Sequence, residues 1–308
     1  MKILIISFNQ IDKYNWGHEL FRREIARQHD VIFFGPGHSP KKVKLHDYLK
    51  SLNTTIDEFD FVFTYGLKYT KKIPDIYDIP DHIFKVHYVI DYFLPKGEFK
   101  GRALDQHEFL NSYKPDIVFS VYYDSIKPLK KNIICENIYC LPFSACSLTY
   151  RNFYCKKINK VATCFSRRQD AYPDRIIALD KLKRHKIRIV DRKMNVEYVK
   201  TINRCKITLG VNDIYKSLNM RVTEILSCGG FLLTNKPNYI ERLGLIDGEH
   251  YISYSDFDDM ISKIRYYFNN DKERNRIELN GMKLVRQHHS CTMRIHEMID
   301  IIKRVKLS

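Results

Sequence analysis

Eleven short runs rich in Val, Ile and Phe recur along the chain with helical stretches between them, and this alternation constrains the fold more tightly than any other feature. The first six are KILIISF (2–8), DVIFFG (30–35), DFVFTYG (60–66), IFKVHYVID (83–91), DIVFSVYY (116–123) and NIICENIYCLP (132–142). A second series follows: VATCFS (161–166), KIRIVD (186–191), CKITLGVN (205–212), GFLLTN (230–235) and HYISYS (250–255). Continuous apolar runs of four to eight residues suit parallel strands covered by helices on both faces. Between the first two, Leu20, Phe21 and Ile25 form a stripe at helical spacing, with Glu19, Arg22 and Arg23 on other faces. Before CKITLGVN, a helix is expected with Val196, Val199 and Ile202 on its buried stripe.

At 308 residues the chain is long enough for two domains. The two series of strands predict two α/β units in tandem, with a boundary near Arg151 to Asn159. The expected domains are 1–155, 156–290, and a C-terminal amphipathic helix over 291–308. That helix carries Ile295, Met298, Ile302 and Val305 on one stripe and packs on the second unit or crosses back to the first.

Lys and Arg total 52 against 36 Asp and Glu, a formal +16, so nucleotides, nucleic acid or acidic membranes are the partners such a chain attracts. Basic residues concentrate at Lys41 to Lys44, Lys127 to Lys131 and Lys181 to Lys193. The eight cysteines form no CxxC pair and are expected to be reduced core thiols. His288, His289 and Cys291 point apart if helical, so no metal site is expected. The apolar N-terminal run is too short for a signal segment or a span, which predicts a soluble cytoplasmic protein, compatible with a peripheral place at a membrane surface. No GxGxxG follows any strand, which removes a dinucleotide-dependent oxidoreductase.

The stretch SLNMRVTEILSCGGFLLT (217–234) carries the most chemistry. A helix starting near Ser217 to Met220 has Ser217 and Asn219 as candidate caps, and its start beyond the strand ITLGVN is where open α/β sheets bind phosphorylated ligands. Val222, Ile225 and Leu226 share the face that packs on the sheet, leaving Arg221 and Glu224 together on another. Arg221 offers a fork of donors to phosphate, and Glu224 can accept from two adjacent hydroxyls of a ribose; alternatively the two pair with each other on a surface. Gly229 and Gly230 stop the helix and allow tight entry to the next strand.

Several ordered motifs from about Val161 to Arg294 together resemble the nucleotide-sugar-binding half of group 1 glycosyltransferases, especially their spore-maturation-protein-like branch. They are NMRxxE (Asn219 to Glu224), CGG (Cys228 to Gly230), LLT (Leu232 to Thr234), GEHY (Gly248 to Tyr251), the ERN segment before Asn280 and Gly281, and H-S-x-x-x-R (His289 to Arg294). The resemblance implies a GT-B fold, two facing Rossmann-like domains with a central cleft, the donor held mainly by the second and the acceptor approached from the first. It implies that Glu224 holds the donor ribose and that Arg221 meets the diphosphate, with Asn219, Ser217, Gly229 and Gly230 in the same donor-binding segment. Arg167 and Arg168, on a strand-to-helix loop, are further candidates for the diphosphate. Lys216 stands where many relatives carry a glutamate, so the paired-glutamate pattern of retaining members is incomplete.

An inverting enzyme needs a base from the first unit, and the candidates are Asp12, His18, His87 and Asp91, with Asp91 first and His18 second. No DxD motif stands at a strand end, since DFDDM (256–260) falls at a helix start, and transfer is expected without a metal. No cofactor is expected beyond the donor, a nucleoside diphosphate sugar with UDP the first choice. The expected acceptor is a glycan or lipid-linked glycan. A DNA-modifying glycosyltransferase, or a non-catalytic nucleotide- or nucleic-acid-binding protein of the same fold, is the alternative.

Overall fold

The computed structural model describes residues 1–9, 16–66, 73, 75–90, 92, 102–166, 172–191, 193–212 and 216–308. The chain divides into two compact units, Met1–Pro142 with Ile295–Ser308, and Phe143–Arg294.

In the first unit, β1 (Lys2–Ile6), β2 (Asp30–Phe34), β3 (Phe61–Tyr65), β4 (Lys85–Val89), β5 (Ile117–Ser120) and β6 (Asn137–Cys140) form one sheet in the order β2-β1-β3-β4-β5-β6, and every neighbouring pair runs parallel. Every residue of β3, β4 and β5 is buried, as expected of strands covered on both faces. Among the described residues the α-helices between them are α1 (Trp16–Gln28), α2 (Leu45–Ser51), α3 (Arg102–Tyr113) and α4 (Ile126–Asn132).

α1 departs from its expected pattern. Phe21 and Ile25 are buried and Leu20 only partly, while Glu19 and Arg22 are sealed in at 0% and 1% exposure. The reason is pairing: Arg22 Nη2 donates to Glu19 Oε2 at 2.7 Å and to the Phe8 carbonyl at 2.9 Å, and its guanidinium lies 4.6 Å from the Tyr65 ring centre. Two charges that satisfy each other can enter a core that neither could enter alone.

In the second unit, β7 (Ile158–Thr163), β8 (Ile189–Asp191), β9 (Cys205–Gly210), β10 (Leu232–Asn235) and β11 (Ile252–Tyr254) form a parallel sheet in the order β8-β7-β9-β10-β11. α5 (Pro173–Arg184) opens with proline at its first position, where no amide partner is lost. α6 (Asn195–Arg204) buries Val199 and Ile202 as expected, but Val196 is exposed and Asn203 takes the inward place. Asn203 earns burial by hydrogen bonds, donating to the Arg151 and Val199 carbonyls and accepting from Phe153 N. The remaining helices are α7 (Arg221–Ser227), α8 (Phe257–Asn269), α9 (Asp271–His288) and α10 (Cys291–Leu307). Ile295, Met298 and Ile302 of α10 are fully buried, and Lys306 donates at 2.7 Å to the carbonyl of Asp60, the residue before β3.

All eight cysteines are free thiols; five are buried, Cys135 and Cys140 partly, and Cys155 is exposed rather than in the core. Among the described residues no helix is long and apolar enough to cross a membrane.

Candidate functional site

A parallel sheet in which successive strands are added first on one side of the starting strand and then on the other leaves a crevice at the carboxyl ends, where the order reverses. In the second unit that point lies between β7 and β9, with β8 on one side and β10 and β11 on the other.

Three asparagines fix the ends there. Asn212 follows β9; its backbone N–H donates to Asn235 Oδ1 at 2.9 Å and its Nδ2 to the Asn235 carbonyl at 2.7 Å, which ties β9 to the end of β10. Asn219 Nδ2 in turn donates to Asn212 Oδ1 at 2.8 Å, and Asn219 Oδ1 accepts from Arg221 N at 3.1 Å. Asn219 thus satisfies an open amide at the start of α7 and anchors that start to the strand ends. α7 begins at Arg221, later than the expected Ser217 to Met220, and Ser217 is buried outside the helix.

Arg175 braces the same crevice from α5. Its Nε donates to the Val211 carbonyl at 2.9 Å and its Nη1 to the Ser166 carbonyl at 3.4 Å, with Tyr172 stacked on the guanidinium at 3.6 Å. It therefore bridges the segments leaving β9 and β7, and it is itself buried.

Glu224 sits one turn into α7 at 4% exposure. Tyr150 OH donates to its Oε1 at 2.7 Å and Tyr198 OH to its Oε2 at 3.0 Å. Burial raises the Glu224 pKa, opposed by the two tyrosine hydrogen bonds and the Arg221 charge. Burial, followed by the Glu224 charge, pushes both phenols well above their usual range, so both keep the protons they donate. Each carboxylate oxygen retains a lone pair beyond the one its tyrosine uses. Arg221 makes no ion pair with Glu224, and among the described residues its guanidinium has no hydrogen-bond partner. The pair is thus not a mutual surface salt bridge.

Tyr150 reaches Glu224 because the segment before β7 is strapped down. Ala145 N donates to the His289 carbonyl at 3.2 Å and Cys291 N to the Ala145 carbonyl at 3.0 Å, while Ser227 Oγ donates to the Tyr150 carbonyl at 2.8 Å. The H-S-x-x-x-R motif supports this strap: Arg294 Nη2 meets His289 Nδ1 at 2.8 Å, and His289 Nε2 meets the Leu243 carbonyl at 2.9 Å. Both ring nitrogens of His289 are thereby occupied by protein partners.

Gly229 and Gly230 are required by packing. A Cβ on Gly229, at φ +67°, would stand 2.6 Å from Asn152 Nδ2, and one on Gly230 would stand 2.5 Å from Ile202 Cγ2. Close approach of α7's end to the strap and to α6 requires the missing side chains. In DFDDM, Asp256 Oδ1 caps α8 by accepting from Asp258 N and Asp259 N, and Asp259 pairs with Lys263 at 2.8 Å.

Among the first-unit candidates, His18 lies on α1 with Nδ1 2.8 Å from Tyr65 OH. Burial, and then the Arg22 charge, lower its pKa to about 3. His87 on β4 meets Thr64 Oγ1 at 2.7 Å and is likewise held at about 3 by burial. Bases this weak are poorly matched to proton abstraction near neutral pH. Asp12, Asp91, Arg167 and Arg168 lie outside the described residues.

Sequence reasoning missed Tyr150, Tyr198, Asn212 and Asn235. The Tyr150 contact spans 74 positions, and no local pattern announces it.

Residues 155–300 match the model of a family described as glycosyl transferase-like. The matched model is that of the broad family; the spore-maturation-protein-like branch stays a resemblance of motifs. A sucrose-phosphate synthase from Thermosynechococcus elongatus is similar over 99% of both chains, with a TM-score of 0.66 at 10% identity. HepE of Anabaena, solved with UDP-glucose, gives 0.67 at 12% identity over 99% of this chain and 100% of that one. T4 phage BGT, solved with its UDP-glucose substrate, gives 0.58 at 12% identity over 99% of both. At these identities the likeness establishes a shared fold. No curated protein matches the chain.

Proposed function

We propose that this chain is a glycosyltransferase that moves a hexosyl or pentosyl group from a nucleoside diphosphate sugar, with UDP as the carrier, to a glycan or lipid-linked glycan. The observation that carries the reading is a buried glutamate, Glu224, beside the switch point of a parallel sheet and inside the segment that matches the glycosyl transferase-like family. The UDP-glucose complexes of two structures that share the fold support the choice of carrier.

In this reading the free lone pairs of Glu224 accept the ribose hydroxyls, while Tyr150 and Tyr198 hold the carboxylate in place. Arg221, whose guanidinium is unengaged among the described residues, meets the diphosphate, joined by Arg167 or Arg168. Such charge stabilises the leaving nucleoside diphosphate as the glycosidic bond to it breaks. The reading has the transfer proceed without metal or cofactor, and in the acidic run DFDDM Asp256 caps a helix while Asp259 pairs with Lys263. Asp91 is the first candidate base for an inverting transfer, with His18 second.

Calorimetric titration of UDP, GDP, ADP and CMP into the protein and into Glu224→Ala tests the reading. The expected result is UDP binding that weakens at least tenfold in the variant, the loss of charge-assisted hydrogen bonds to a buried carboxylate. Equal binding to both proteins, or no nucleotide binding, overturns it.

A further inference from the structure

We propose that the amino-terminal end of the second sheet carries a second anion site, a pocket that takes a small phosphorylated ligand. It lies at the opposite end of the strands from Glu224. β7 alone puts about 17 Å between its first and last residues, at roughly 3.3 Å per residue.

The pocket has a volume of about 710 Å³ and is lined by Lys156, Lys157, Arg188, Lys206 and Arg274, with Asp271 the one acid among its described lining residues. These cations come from four places: the approach to β7, the approach to β8, the start of β9 and the first turns of the 18-residue helix α9. Converging starts of parallel strands bring them together, although they lie up to 118 positions apart in sequence, as Lys156 and Arg274 do.

Some of this charge is balanced within the protein. Lys206 pairs with Asp271 at 2.7 Å and Lys157 with Glu278 at 3.0 Å. Arg274 is buried and held by the Tyr267 carbonyl at 3.1 Å, by Asp271 and by Glu278. The floor is therefore rigid. Five cations against two acids leave an excess, and it is concentrated in Lys156 and Arg188, which are exposed and whose side chains have no partner among the described residues.

Two observations select a phosphorylated organic ligand. First, a concave site with several donors from fixed elements suits a compact, multiply charged oxyanion better than a single carboxylate, and Arg188 adds a planar fork. Second, Tyr154 also lines the pocket, is 81% exposed and sits at φ +53°, a conformation uncommon for a bulky residue. Its exposed ring offers apolar surface to the ring or chain that bears the phosphate. A soluble phosphate ester and a phospholipid headgroup share this chemistry.

The test titrates sodium tripolyphosphate at constant ionic strength into the full chain with and without saturating UDP, and in parallel sediments the protein with phosphatidylcholine vesicles with or without phosphatidic acid. The variants are Lys156→Ala/Arg188→Ala and, as a control of equal charge change, Lys127→Ala/Lys130→Ala on α4, all at exposed positions. The site predicts binding of one or both probes that persists with UDP present and falls about tenfold or more in the first variant, with less than about twofold change in the control. Tripolyphosphate binding without vesicle binding identifies a soluble ligand; the reverse identifies a headgroup. No binding of either probe, equal weakening by both variants, or complete displacement by UDP overturns the proposal. The outcome is independent of Glu224, so it stands or falls apart from the donor reading.

Discussion

Tyr150→Phe isolates the hydroxyl that holds Glu224. The phenylalanine ring keeps the packing, so the change removes one 2.7 Å bond to a buried carboxylate. A hydrogen bond to a buried charged group contributes about 1.5–3 kcal/mol. Taking about 2 kcal/mol in a unit of this size, the melting temperature of the second unit is expected to fall by about 4–8 °C. The loss carries a pH signature. Burial raises the Glu224 pKa above its ordinary 4.5, so the stability it contributes is fully present below about pH 4.5 and is lost as pH rises through the folded value. The Tyr150 bond is one of the influences holding that value down. Without it the folded pKa climbs and the penalty above it deepens, so the deficit of Tyr150→Phe is larger at pH 8 than at pH 5. Melting followed by circular dichroism at both pH values measures this. A shift under about 1 °C at pH 8, or a deficit equal at both pH values, refutes the view of Tyr150 as the support of an ionised Glu224.

Arg175→Met keeps the stem but leaves the Val211 and Ser166 carbonyls without their donor; each orphaned group costs about 1–3 kcal/mol, so denaturation of the second unit shifts markedly and UDP titration weakens, and Arg175→Lys does not restore either because one ammonium cannot reproduce the fork. Gly230→Ala drives a Cβ to within 2.5 Å of Ile202 and is expected to lower stability by about 1–3 kcal/mol, read from urea unfolding. In the first unit, His18 and His87 are held near pKa 3 when folded against 6.5 unfolded, so stability is complete above pH 6.5 and is lost as pH falls; at pH 5 each costs about 2 kcal/mol, measurable by fluorescence of the single tryptophan, Trp16.

The strands were legible because their chemistry is local. Ten of the eleven apolar runs contain a whole strand, and VATCFS (161–166) covers only the second half of β7; their continuity implied the parallel sheets observed. Helix faces were less legible where polar residues enter the core in matched sets. Glu19 with Arg22 and Asn203 with the strap carbonyls look like surface residues until their partners are known. Glu224 was recognisable through motif order, whereas the tyrosines that hold it were not. Tyr150 and Tyr198 lie 74 and 26 positions away, and they meet Glu224 only through tertiary packing.

The strap that delivers Tyr150 bears on how such halves can be exchanged between relatives. The family match begins at residue 155, so it includes Glu224 but leaves out Tyr150 and the Ala145 contact that anchors it. A chimera joined at the family border would import the glutamate and inherit a foreign residue at its elbow, stranding half of a buried carboxylate. A junction at Phe143, where the compact unit itself begins, transplants the acid together with its keeper.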